Sequence, residues 1–479
     1  MNIAFAASEA APFLKTGGLG DVMQALPEAL RSMPENEVAL VLPYYGVIKR
    51  NPAVKTEFCS SFAVQMGWRS CHVGLFRLRQ RKKRLQVYFV DNEQYFDRER
   101  IYGEPDDGER FAFFSKAVPA CLNAVGFRPD VLHCNDWQTA LIPLLLMSEF
   151  ASAFPETKSV LTIHNVQYQG WGDILFNMDV LGLPAEYTGV LEMKGASNML
   201  KAGVVMADAV TTVSETYAKE LQYPYYAYGL DQVLRDFSYK ITGITNGIDT
   251  KVWDPAHDAA LTETYSAADA AEKKQENKLA LQEQLGLTQD ADAALLAMVT
   301  RLADHKGIDL LTYIADRLME RRVQLVVLGT GEREYEDFLR GFAARNPGKV
   351  GAVLQFDGGL ANRIYAASDV YLMPSKSEPC GLSQLIAMCY GSVPVVHATG
   401  GLQDTVPPYE GPEGQGRGFT FQSYNADDFL AAIDRALAVY YDTPEAWAQL
   451  REWDMKQDLS WKLPAKQYED LYRRLTGKQ

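Results

Sequence analysis

The chain has 479 residues, of which 47% are hydrophobic and 23% charged, as in ordinary globular proteins. Its formal net charge of −14 argues against a general binder of nucleic acids or anionic membranes, because either would need a basic surface. No apolar run approaches the roughly 18 residues that a membrane-spanning helix requires. A chain of this length is also too long for one hydrophobic core, which predicts two large domains.

The first half of the chain predicts one α/β domain, in which short apolar strands alternate with helices. Residues 3–7 form a predicted strand, followed by a loop that ends in KTGGLG and then by a helix. Residues 53–90 alternate polar and apolar positions, which predicts hairpin strands, with many basic residues at 77–84. Further strands are predicted at 38–42, 131–134, 159–163 and 204–213, and helices at 111–125 and 137–150.

The same alternation starts again after a turn-rich stretch at residues 241–254, which predicts domains at 1–240 and 250–458. Residues 262–278 are polar and charged, and we predict no element there. Strands are predicted at 295–301, 324–328, 353–356, 370–373 and 393–396, and helices at 309–321, 332–344, 361–367, 381–390, 427–441 and 466–475. Two such arrays predict two parallel sheets with helices on both faces.

The cysteines and the first residues indicate a reducing compartment. Six cysteines, at positions 59, 71, 121, 134, 380 and 389, show no paired spacing, so we expect free thiols. The chain starts directly with a strand-like run, without a basic leader, and we therefore expect no signal or transit peptide. Together these features predict a cytoplasmic protein.

Two cations follow the predicted strand at 295–301. Arg301 ends that strand, and Lys306 comes five residues later, before a glycine and a helix start. A forked guanidinium and a compact ammonium at a strand's carboxyl end can hold a diphosphate. They would also stabilise the negative charge that grows on a departing phosphate. The pair predicts a diphosphate site, and the alternative is two solvated surface cations.

Residues 374–401 predict a second ligand loop, because a loop and a helix here connect two buried strands. Glu378 lies between a strand end and a helix start, where a carboxylate can accept hydrogen bonds from sugar hydroxyls. A helix that begins near Gly381 would offer unpaired N–H groups and a positive dipole end to a phosphate. Cys380 is interpreted as a small packing residue, since nothing in the sequence lowers its pKa.

Polar side chains also follow two strands of the first domain. Asp136 comes after the predicted strand at 131–134, and His164 comes after the strand at 159–163. Because the carboxyl ends of parallel strands lie at one edge of a sheet, these groups are predicted to share a cleft. Lys15 belongs to a glycine loop whose backbone can approach a phosphate or a sugar. The alternatives are a structural histidine and a solvated lysine.

Several stronger motifs are missing from the sequence. The glycines at 329 and 331 follow a strand, but Glu334 replaces the third glycine of a dinucleotide-binding fingerprint. No phosphate-binding loop of the G-x-x-x-x-G-K-[ST] type occurs. The D-x-D at 290–292 precedes a strand, and we interpret it as a solvated turn. No group of side chains has the spacing of metal ligands, so we expect neither a dehydrogenase nor a metal site.

Eight blocks of sequence resemble the bacterial glycogen synthase and plant starch synthase family, the glycosyltransferases of family 5 that use ADP-glucose. They are KTGGLGDV from Lys15, HCNDW at 133–137, IHNVQYQG at 163–170, LKAGVVMADAVTTVS at 200–214, ITNGID at 244–249, RLADHKG at 301–307, PSKSEPCGLSQL at 374–385 and TGGLQDTV at 399–406. These blocks occur in the family's order and span nearly the whole chain, so the resemblance is specific.

The resemblance implies an α/β protein of the GT-B fold, with two Rossmann-like domains facing across a cleft. It also implies a helix at 459–479 that crosses back to the first domain. The implied reaction transfers glucose from ADP-glucose to the 4-hydroxyl at the non-reducing end of an α-1,4-glucan, with retention and without a metal or another cofactor. The implied partners are therefore the nucleotide sugar and the glucan, and the oligomeric state stays open.

The resemblance implies roles for individual residues as well. The residues around the reacting glucose and its phosphates are His164, Asp136, Asn246, Glu378, Arg301 and Lys306. The further donor contacts are Lys15, Gly18 and Asp21 in the glycine loop, Cys380, Gly381 and Leu382 at the helix start, and Phe356, which would stack on the adenine. Tyr95 and Trp137 are implied acceptor contacts. The chain departs from the family pattern at Asn135, Gln138 and residues 303–305, without losing a charged group.

The family reading implies that ADP departs and the acceptor hydroxyl attacks from the same face, through a short-lived oxocarbenium ion. One alternative is a retaining transferase with another donor, such as a sucrose- or trehalose-type synthase, and the KTGGLGD loop argues against it. Another alternative is a glucan-binding or regulatory protein that has lost catalysis. That reading predicts the loss of a charged site residue, yet Lys15, Arg301, Lys306 and Glu378 are all present.

Overall fold

The computed structural model describes residues 1–80, 85–414 and 416–478, which form two compact units. Unit 1 comprises Met1–Asn246 and the stretch from Trp461 onward, and unit 2 comprises Gly247–Ser460. The basic residues at 81–84, expected in the hairpin region, lie outside the described residues. None of the helices in the described ranges has the length and apolarity of a membrane-spanning segment.

Unit 1 is an α/β unit in which short helices alternate with strands. Its strands are β1 (Asn2–Ala6), β2 (Glu37–Pro43), β3 (Thr56–Met66), β4 (Arg69–Leu78), β5 (Gln86–Asp91), β6 (Val131–Asn135), β7 (Lys158–Ile163), β8 (Trp171–Gly172), β9 (Glu192–Met193), β10 (Ala196–Asn198), β11 (Ala209–Thr212) and β12 (Ile241–Gly243). Its first helices are α1 (Gly18–Arg31), α2 (Gly46–Lys49), α3 (Glu93–Phe96), α4 (Asp107–Ala124), α5 (Ile142–Met147), α6 (Thr188–Leu191), α7 (Met199–Met206), α8 (Glu215–Glu220), α9 (Pro224–Ala227) and α10 (Asp231–Asp236).

The main sheet of unit 1 has the strand order β12-β11-β7-β6-β1-β2-β5-β4-β3. Strands from β12 to β5 run parallel, whereas β4 is antiparallel to both of its neighbours, β3 and β5. Strand β1 lies in the middle of the sheet. The strands β2 and β5 follow on one side of it, and β6 is placed on its other side. Ligands of such sheets bind at the point where the strand order reverses, which here lies at the carboxyl ends of β1 and β6.

Unit 2 has the same βα alternation. Its strands are β13 (Ala294–Val299), β14 (Val323–Leu328), β15 (Val350–Val353), β16 (Val370–Met373), β17 (Val393–His397) and β18 (Phe419–Phe421). Its helices are α11 (Ala270–Gln284), α12 (Ile308–Leu318), α13 (Arg333–Arg345), α14 (Gly358–Ala367), α15 (Ser383–Cys389), α16 (Gly400–Thr405), α17 (Ala426–Asp442) and α18 (Pro444–Met455).

The sheet of unit 2 is parallel, with the order β15-β14-β13-β16-β17-β18. This is the doubly wound Rossmann order, and it reverses between β13 and β16. Alternate residues of β13 face opposite sides: Leu296 and Met298 join one apolar core, and Leu295 and Ala297 join the other. Both faces are therefore covered, as the prediction of parallel sheets between helices required.

The last helix, α19 (Lys462–Thr476), belongs to unit 1. The hydroxyl of Tyr472 lies 2.6 Å from Nδ1 of His133, which is buried in β6. The other ring nitrogen of His133 lies 2.5 Å from the Thr162 hydroxyl. Because burial lowers the pKa of His133 to about 3, its imidazole is neutral at pH 7, and we assign it to holding α19 rather than to metal binding.

Helices α11 and α18 were not predicted. Helix α11 was missed because it buries polar side chains and so lacks the apolar stripe that indicates a helix. Lys274 donates to the carbonyl oxygens of Tyr365, Ala366 and Tyr390 at 3.3, 2.7 and 2.9 Å. Lys278, one turn later, pairs with a carboxylate oxygen of Asp369 at 2.6 Å. These bonds satisfy two buried ammonium groups that sequence periodicity cannot distinguish from surface lysines.

Some predicted boundaries are wrong in unit 1. The predicted strand at 204–213 begins inside helix α7, because Asn198 caps this helix by accepting the N–H of Lys201 at 2.8 Å. Only Ala209–Thr212 pair as a strand. The predicted helix at 137–150 is a short 3-10 turn, Trp137–Thr139, followed by α5.

Two boundaries also shift in unit 2. Strand β15 is four residues long and ends at Val353, which pairs with Leu328 at the end of β14, so residues 354–356 lie beyond the sheet. Helix α15 begins at Ser383 and not at Gly381, because Gly381 has a φ of +72°, which lies outside the helical region. Residues 380–382 therefore form a loop before the helix.

Asp454 in α18 is a buried carboxyl without a hydrogen-bonding partner. Its side chain is fully buried, and neither carboxyl oxygen has a hydrogen bond among the described residues. Burial raises the pKa of Asp454 well above its ordinary value, and the positive charge of Arg417 only partly opposes this shift. The folded protein thus holds a proton on Asp454 more tightly than the unfolded chain does.

We predict that Asp454→Asn makes the protein more stable relative to the wild type as pH rises. A carboxyl whose folded pKa is raised destabilises the fold progressively above its unfolded pKa, near 3.9, until the folded pKa is passed. Thermal melting of both proteins at pH 5 and pH 8 measures this effect. The difference in Tm in favour of Asn should be larger at pH 8, and an equal difference at both pH values would contradict the prediction.

Candidate active site

In unit 1, three polar side chains meet at the carboxyl ends of β6 and β7. Oδ1 of Asp136 accepts the backbone N–H groups of His164 and Asn165 at 2.7 and 3.4 Å. Nε2 of His164 lies 2.9 Å from Oδ1 of Asn135, whose amide donates to the Ala6 carbonyl at the end of β1. The structure therefore brings Asp136 and His164 together at the edge where the strand order reverses.

Asp136 has a strained backbone, with a φ of +56°. Its ψ is −176°, so the backbone lies outside the left-handed helical region, in one that is occupied almost only by glycine, and this costs about 1–3 kcal/mol. The two N–H bonds to its carboxylate hold the conformation in place. Strain of this kind is concentrated at functional sites, and here it fixes the position of the carboxylate beside the His164 backbone.

The electrostatics of this cluster favour neutral groups. Burial, with a smaller contribution from the negative charge of Glu9, raises the pKa of Asp136 to about 7, although the hydrogen bonds from the backbone N–H groups of His164 and Asn165 oppose the shift. Burial lowers the pKa of His164 to about 3. At pH 7, His164 is therefore neutral and Asp136 is close to half protonated, which suits a group that must hold or exchange a proton.

The glycine loop follows β1 at the same edge of the sheet. Nζ of Lys15 pairs with Oδ1 of Asp21 at 2.7 Å, and both side chains are partly exposed. The buried carboxylate of Glu9 accepts the backbone N–H of Thr16 and so anchors the loop. Helix α1 begins at Gly18 without a side-chain cap, which leaves N–H groups at its start for a ligand.

Asn246 is the last residue of the first segment of unit 1, before the chain enters unit 2. Its side chain is buried, and its Oδ1 has no hydrogen-bond partner among residues 1–80, 85–414 and 416–478. A buried amide oxygen without a partner is costly. A hydrogen-bond donor on a bound ligand would supply the partner that this oxygen lacks.

The two predicted acceptor contacts lie in the interior of unit 1. Tyr95 is buried, and its hydroxyl donates to Glu109 at 2.5 Å. Trp137 is buried edge-on against Phe111, with ring centroids 5.2 Å apart. In the described parts of the chain, no hydrogen bond or ring contact joins Tyr95 to the Asp136 and His164 cluster, whereas Trp137 follows Asp136 directly.

Sequence reasoning missed Tyr102 and Glu9. The hydroxyl of Tyr102 lies 2.8 Å from that of Ser8, in the loop after β1. This contact with Ser8 places the Tyr102 hydroxyl at the edge of the sheet that carries the cluster. Burial raises the pKa of Tyr102, and the negative charges of Glu9 and Asp136 add to the shift. Glu9 follows a strand end, a signal that was available. Tyr102 lies in an irregular segment and carries no such signal.

In unit 2, three loops pack backbone to backbone at the edge where the strand order reverses. Gly307 has a φ of +76°, and a Cβ there would lie 2.1 Å from the Pro374 carbonyl oxygen. The N–H of Gly401 donates to the Glu378 carbonyl at 3.0 Å, and the N–H of Lys376 donates to the His305 carbonyl at 2.9 Å. Glycine is required at 307, because a side chain would separate the loops.

The cations of this edge differ in their surroundings. Nζ of Lys306 pairs with Oε2 of Glu378 at 2.6 Å, and the Ser375 hydroxyl donates to the same oxygen at 3.1 Å. Glu378 is only 7% exposed, so this is a largely buried pair. Arg301 is exposed, and its guanidinium has no hydrogen bond or ion pair within the described ranges. The Lys306–Glu378 pair is neutral overall, and Arg301 adds one positive charge.

The loop before α15 adds backbone donors. The carbonyl oxygens of Cys380 and Gly381 accept the Gln384 side-chain amide at 3.1 and 2.9 Å. No hydrogen bond engages the N–H groups of Gly381 and Leu382 in the described part of the chain. Cys380 is buried and forms no disulfide, which fits its interpretation as a packing residue.

Phe356 lies in the loop after β15 and is 93% exposed. An aromatic ring so fully exposed is available to stack on a planar ligand. Within the described residues, no group of three His, Cys, Asp or Glu side chains is arranged to hold a metal ion.

Comparison with known families identifies both halves of the chain. The starch synthase catalytic domain matches residues 2–236, and the domain of glycosyl transferases group 1 matches residues 283–450. The glycogen synthase of Clostridium beijerinckii is 45% identical over 100% of both chains. The glycogen synthase of Bacillus cereus is 42% identical over 99% of this chain and 100% of its own.

Solved structures agree with this assignment. The catalytic domain of starch synthase IV from Arabidopsis thaliana, bound to ADP and acarbose, is 34% identical, with a TM-score of 0.90 over 99% of both chains. Sucrose-phosphate synthase from Thermosynechococcus elongatus, with a TM-score of 0.61 over 100% of both chains, is 20% identical and shows the fold alone. The two Rossmann-like units confirm the predicted GT-B class. The chain belongs to the glycogen synthase family and is a glycosyltransferase of glycogen synthesis.

Proposed function

We propose that this protein transfers glucose from ADP-glucose to the 4-hydroxyl at the non-reducing end of an α-1,4-glucan, with retention of configuration. The observation that carries the proposal is the edge of unit 2, where the exposed Arg301 lies in one loop with Lys306. The N–H groups of Gly381 and Leu382 add donors without hydrogen-bond partners among the described residues. A charged fork, an ammonium and free N–H groups are the donors that a pyrophosphate needs.

The other residues of unit 2 complete the donor site in this proposal. Phe356 offers its exposed ring to the adenine, and Glu378 faces the glucose hydroxyls while its Oε2 balances Lys306. Cys380 shapes the loop by packing. Because a diphosphate competes with Glu378 for Lys306, binding of the donor would free part of the Glu378 carboxylate for the sugar.

In unit 1, we assign the glucose side of the reaction to the strand-end cluster. His164 lies next to the reacting carbon, and Asp136 holds its backbone in place. Asn246 offers a buried amide oxygen to a hydroxyl, and the glycine loop with Lys15, Gly18 and Asp21 contacts the donor. For the acceptor we propose Trp137 and Tyr95, as the resemblance implies, and add Tyr102 because its hydroxyl lies at the edge of the sheet that carries the cluster.

The proposed mechanism keeps attack and departure on one face of the sugar. The bond between glucose C1 and the β-phosphate oxygen breaks, ADP takes the electron pair, and a short-lived oxocarbenium ion forms. The acceptor 4-hydroxyl then bonds to C1 from the same face, and its proton passes to the departing phosphate. Arg301 and Lys306 stabilise the charge that develops on ADP. No metal is needed in this scheme, because the two cations meet that charge.

We also propose that the protein works in a cytoplasmic, reducing compartment. None of the six cysteines forms a disulfide, and three of them are buried. A secreted chain of this cysteine content would be exposed to oxidation of its accessible thiols.

Incorporation of labelled glucose into glycogen tests the proposed donor. We expect incorporation from ADP-glucose to exceed that from UDP-glucose by about tenfold or more, since the two donors differ only in the base that the site reads. The rate with ADP-glucose should be unchanged after EDTA treatment. Equal or greater use of UDP-glucose would favour a synthase with another donor. Loss of activity with EDTA, restored by Mg²⁺, would contradict the metal-free scheme.

A further inference from the structure

His305 is a titratable group inside the proposed diphosphate site that the mechanism above does not use. It lies in the 3-10 turn Asp304–Lys306, between Arg301 and Lys306 in sequence. Its side chain is partly buried. The backbone carbonyl of His305 accepts the Lys376 N–H, but neither ring nitrogen has a hydrogen bond among the described residues. The imidazole is therefore free to respond to a ligand.

Charged groups surround His305 on each element that packs against its turn. They are Arg301, Asp304 and Lys306 in its own loop, Lys376 and Glu378 in the loop after β16, and Glu332 before α13, which accepts the Asp304 N–H at 3.1 Å. Partial burial lowers the pKa of His305, Lys306 lowers it further, and Glu378 opposes the shift. Without a ligand, His305 is therefore mostly neutral at pH 7.

We propose that His305 takes up a proton when the diphosphate of the nucleotide sugar binds at Arg301 and Lys306, and so supplies a third positive charge to the donor site. The proposal rests on the proposed function, because it needs a diphosphate at this edge of unit 2. The proton comes from solvent and goes to a free ring nitrogen, and no covalent bond changes. The physical cause is the diphosphate's negative charge, which favours the protonated imidazole.

The direction of the pH dependence follows from this linkage. The pKa of His305 is lowered in the free protein and raised in the complex, so binding takes up a proton at pH values between the two. Donor affinity should therefore be highest at acid pH, fall through this window and level off above the pKa of the complex. A nearby opposite charge raises such a pKa by about one to three units, which corresponds to a change in affinity of about tenfold or more.

Isothermal titration calorimetry with ADP-glucose, without acceptor, tests this inference. ADP-glucose is the chosen probe because its pyrophosphate diester has no proton that titrates near neutral pH. Titrations at pH 7 in buffers of different ionisation enthalpy give the number of protons taken up, and titrations from pH 5.5 to 8.5 give the affinity. We compare the wild type with His305→Gln, which cannot titrate, and His305→Lys, which keeps a positive charge.

The matched control is His257→Gln, because His257 also lies in unit 2, pairs with Asp254 and has an 83% exposed side chain. We expect the wild type and the control to take up a fraction of a proton and to lose about tenfold in affinity over the pH range. His305→Gln and His305→Lys should both lose the part of the proton uptake and of the pH dependence that His305 contributes. The part that remains in both variants should come from other titratable groups, such as Asp136, whose pKa is about 7.

Two results would overturn the inference in distinguishable ways. Binding of ADP-glucose with the same proton uptake in the wild type and His305→Gln would overturn the role of His305 and leave the proposed function intact. No binding of ADP-glucose by the wild type would overturn both. Since the His305 ring has no hydrogen bonds in the described structure, we expect both variants to melt at the wild-type temperature.

Discussion

Replacement of Arg301 by alanine should lower kcat by about 10²–10³-fold, by analogy with removal of a donor that stabilises a developing oxyanion. Arg301 is exposed and makes no hydrogen bond or ion pair within the described ranges. The fold therefore loses nothing when the guanidinium is removed, and Tm should stay unchanged. The measurement is turnover of ADP-glucose at saturating glycogen, together with thermal melting.

The control for this prediction is Arg333→Ala. Arg333 lies at the start of α13, and its side chain is 93% exposed. Its one ion pair within the described residues is with Asp337, at 3.6 Å. Its removal takes one positive charge from the same unit, and within the described ranges its side chain forms no ion pair with the strand-end loops. We expect turnover of the control within twofold or so of the wild type, as for ordinary surface changes. Near-normal turnover of Arg301→Ala would refute the assigned role.

Lys306→Ala is expected to lose both activity and stability. Turnover should fall by about 10²–10³-fold for the same electrostatic reason. In addition, the variant leaves the largely buried Glu378 carboxylate without its ammonium partner, which should cost about 3 kcal/mol of stability. Turnover and urea unfolding are the measurements, and this variant should differ from Arg301→Ala in the second of them.

A second substitution separates the two effects of losing Lys306. In Lys306→Ala combined with Glu378→Gln, no unpaired charge is left in the loop, so most of the lost stability should return while turnover stays low. Unchanged stability of the single variant would mean that the pair is more solvated than its 2.6 Å geometry and low exposure indicate. Restored turnover in the double variant would contradict a role for the ammonium in catalysis.

The sequence was sufficient to predict the positions of most strands and the groups at their carboxyl ends. Buried parallel strands are short apolar runs that can be recognised in a sequence. Because all parallel strands end at the same edge of the sheet, the residues that follow them lie at that edge. Asp136, His164, Arg301 and Lys306 were correctly placed after the ends of strands in this way. The same rule would have found Glu9, which follows β1.

What the sequence could not predict depended on contacts between distant segments. Lys274 and Lys278 form buried bonds with residues about 90 positions away, so α11 lacked an apolar stripe and was missed. Lys306 and Glu378 are 72 positions apart in the sequence, and their ion pair brings these two predicted site residues into direct contact. Tyr102 reaches Ser8 from an irregular segment, where no strand end or periodicity marks it.

The most direct test of the account is a crystal structure with ADP bound. We expect the guanidinium of Arg301 and Nζ of Lys306 to lie within about 3.2 Å of the diphosphate oxygens. The N–H groups of Gly381 and Leu382 should point to the same phosphates, and the adenine should stack on Phe356. If ADP bound elsewhere, with Arg301 still exposed to solvent and Lys306 still paired with Glu378, the proposed donor site would be wrong.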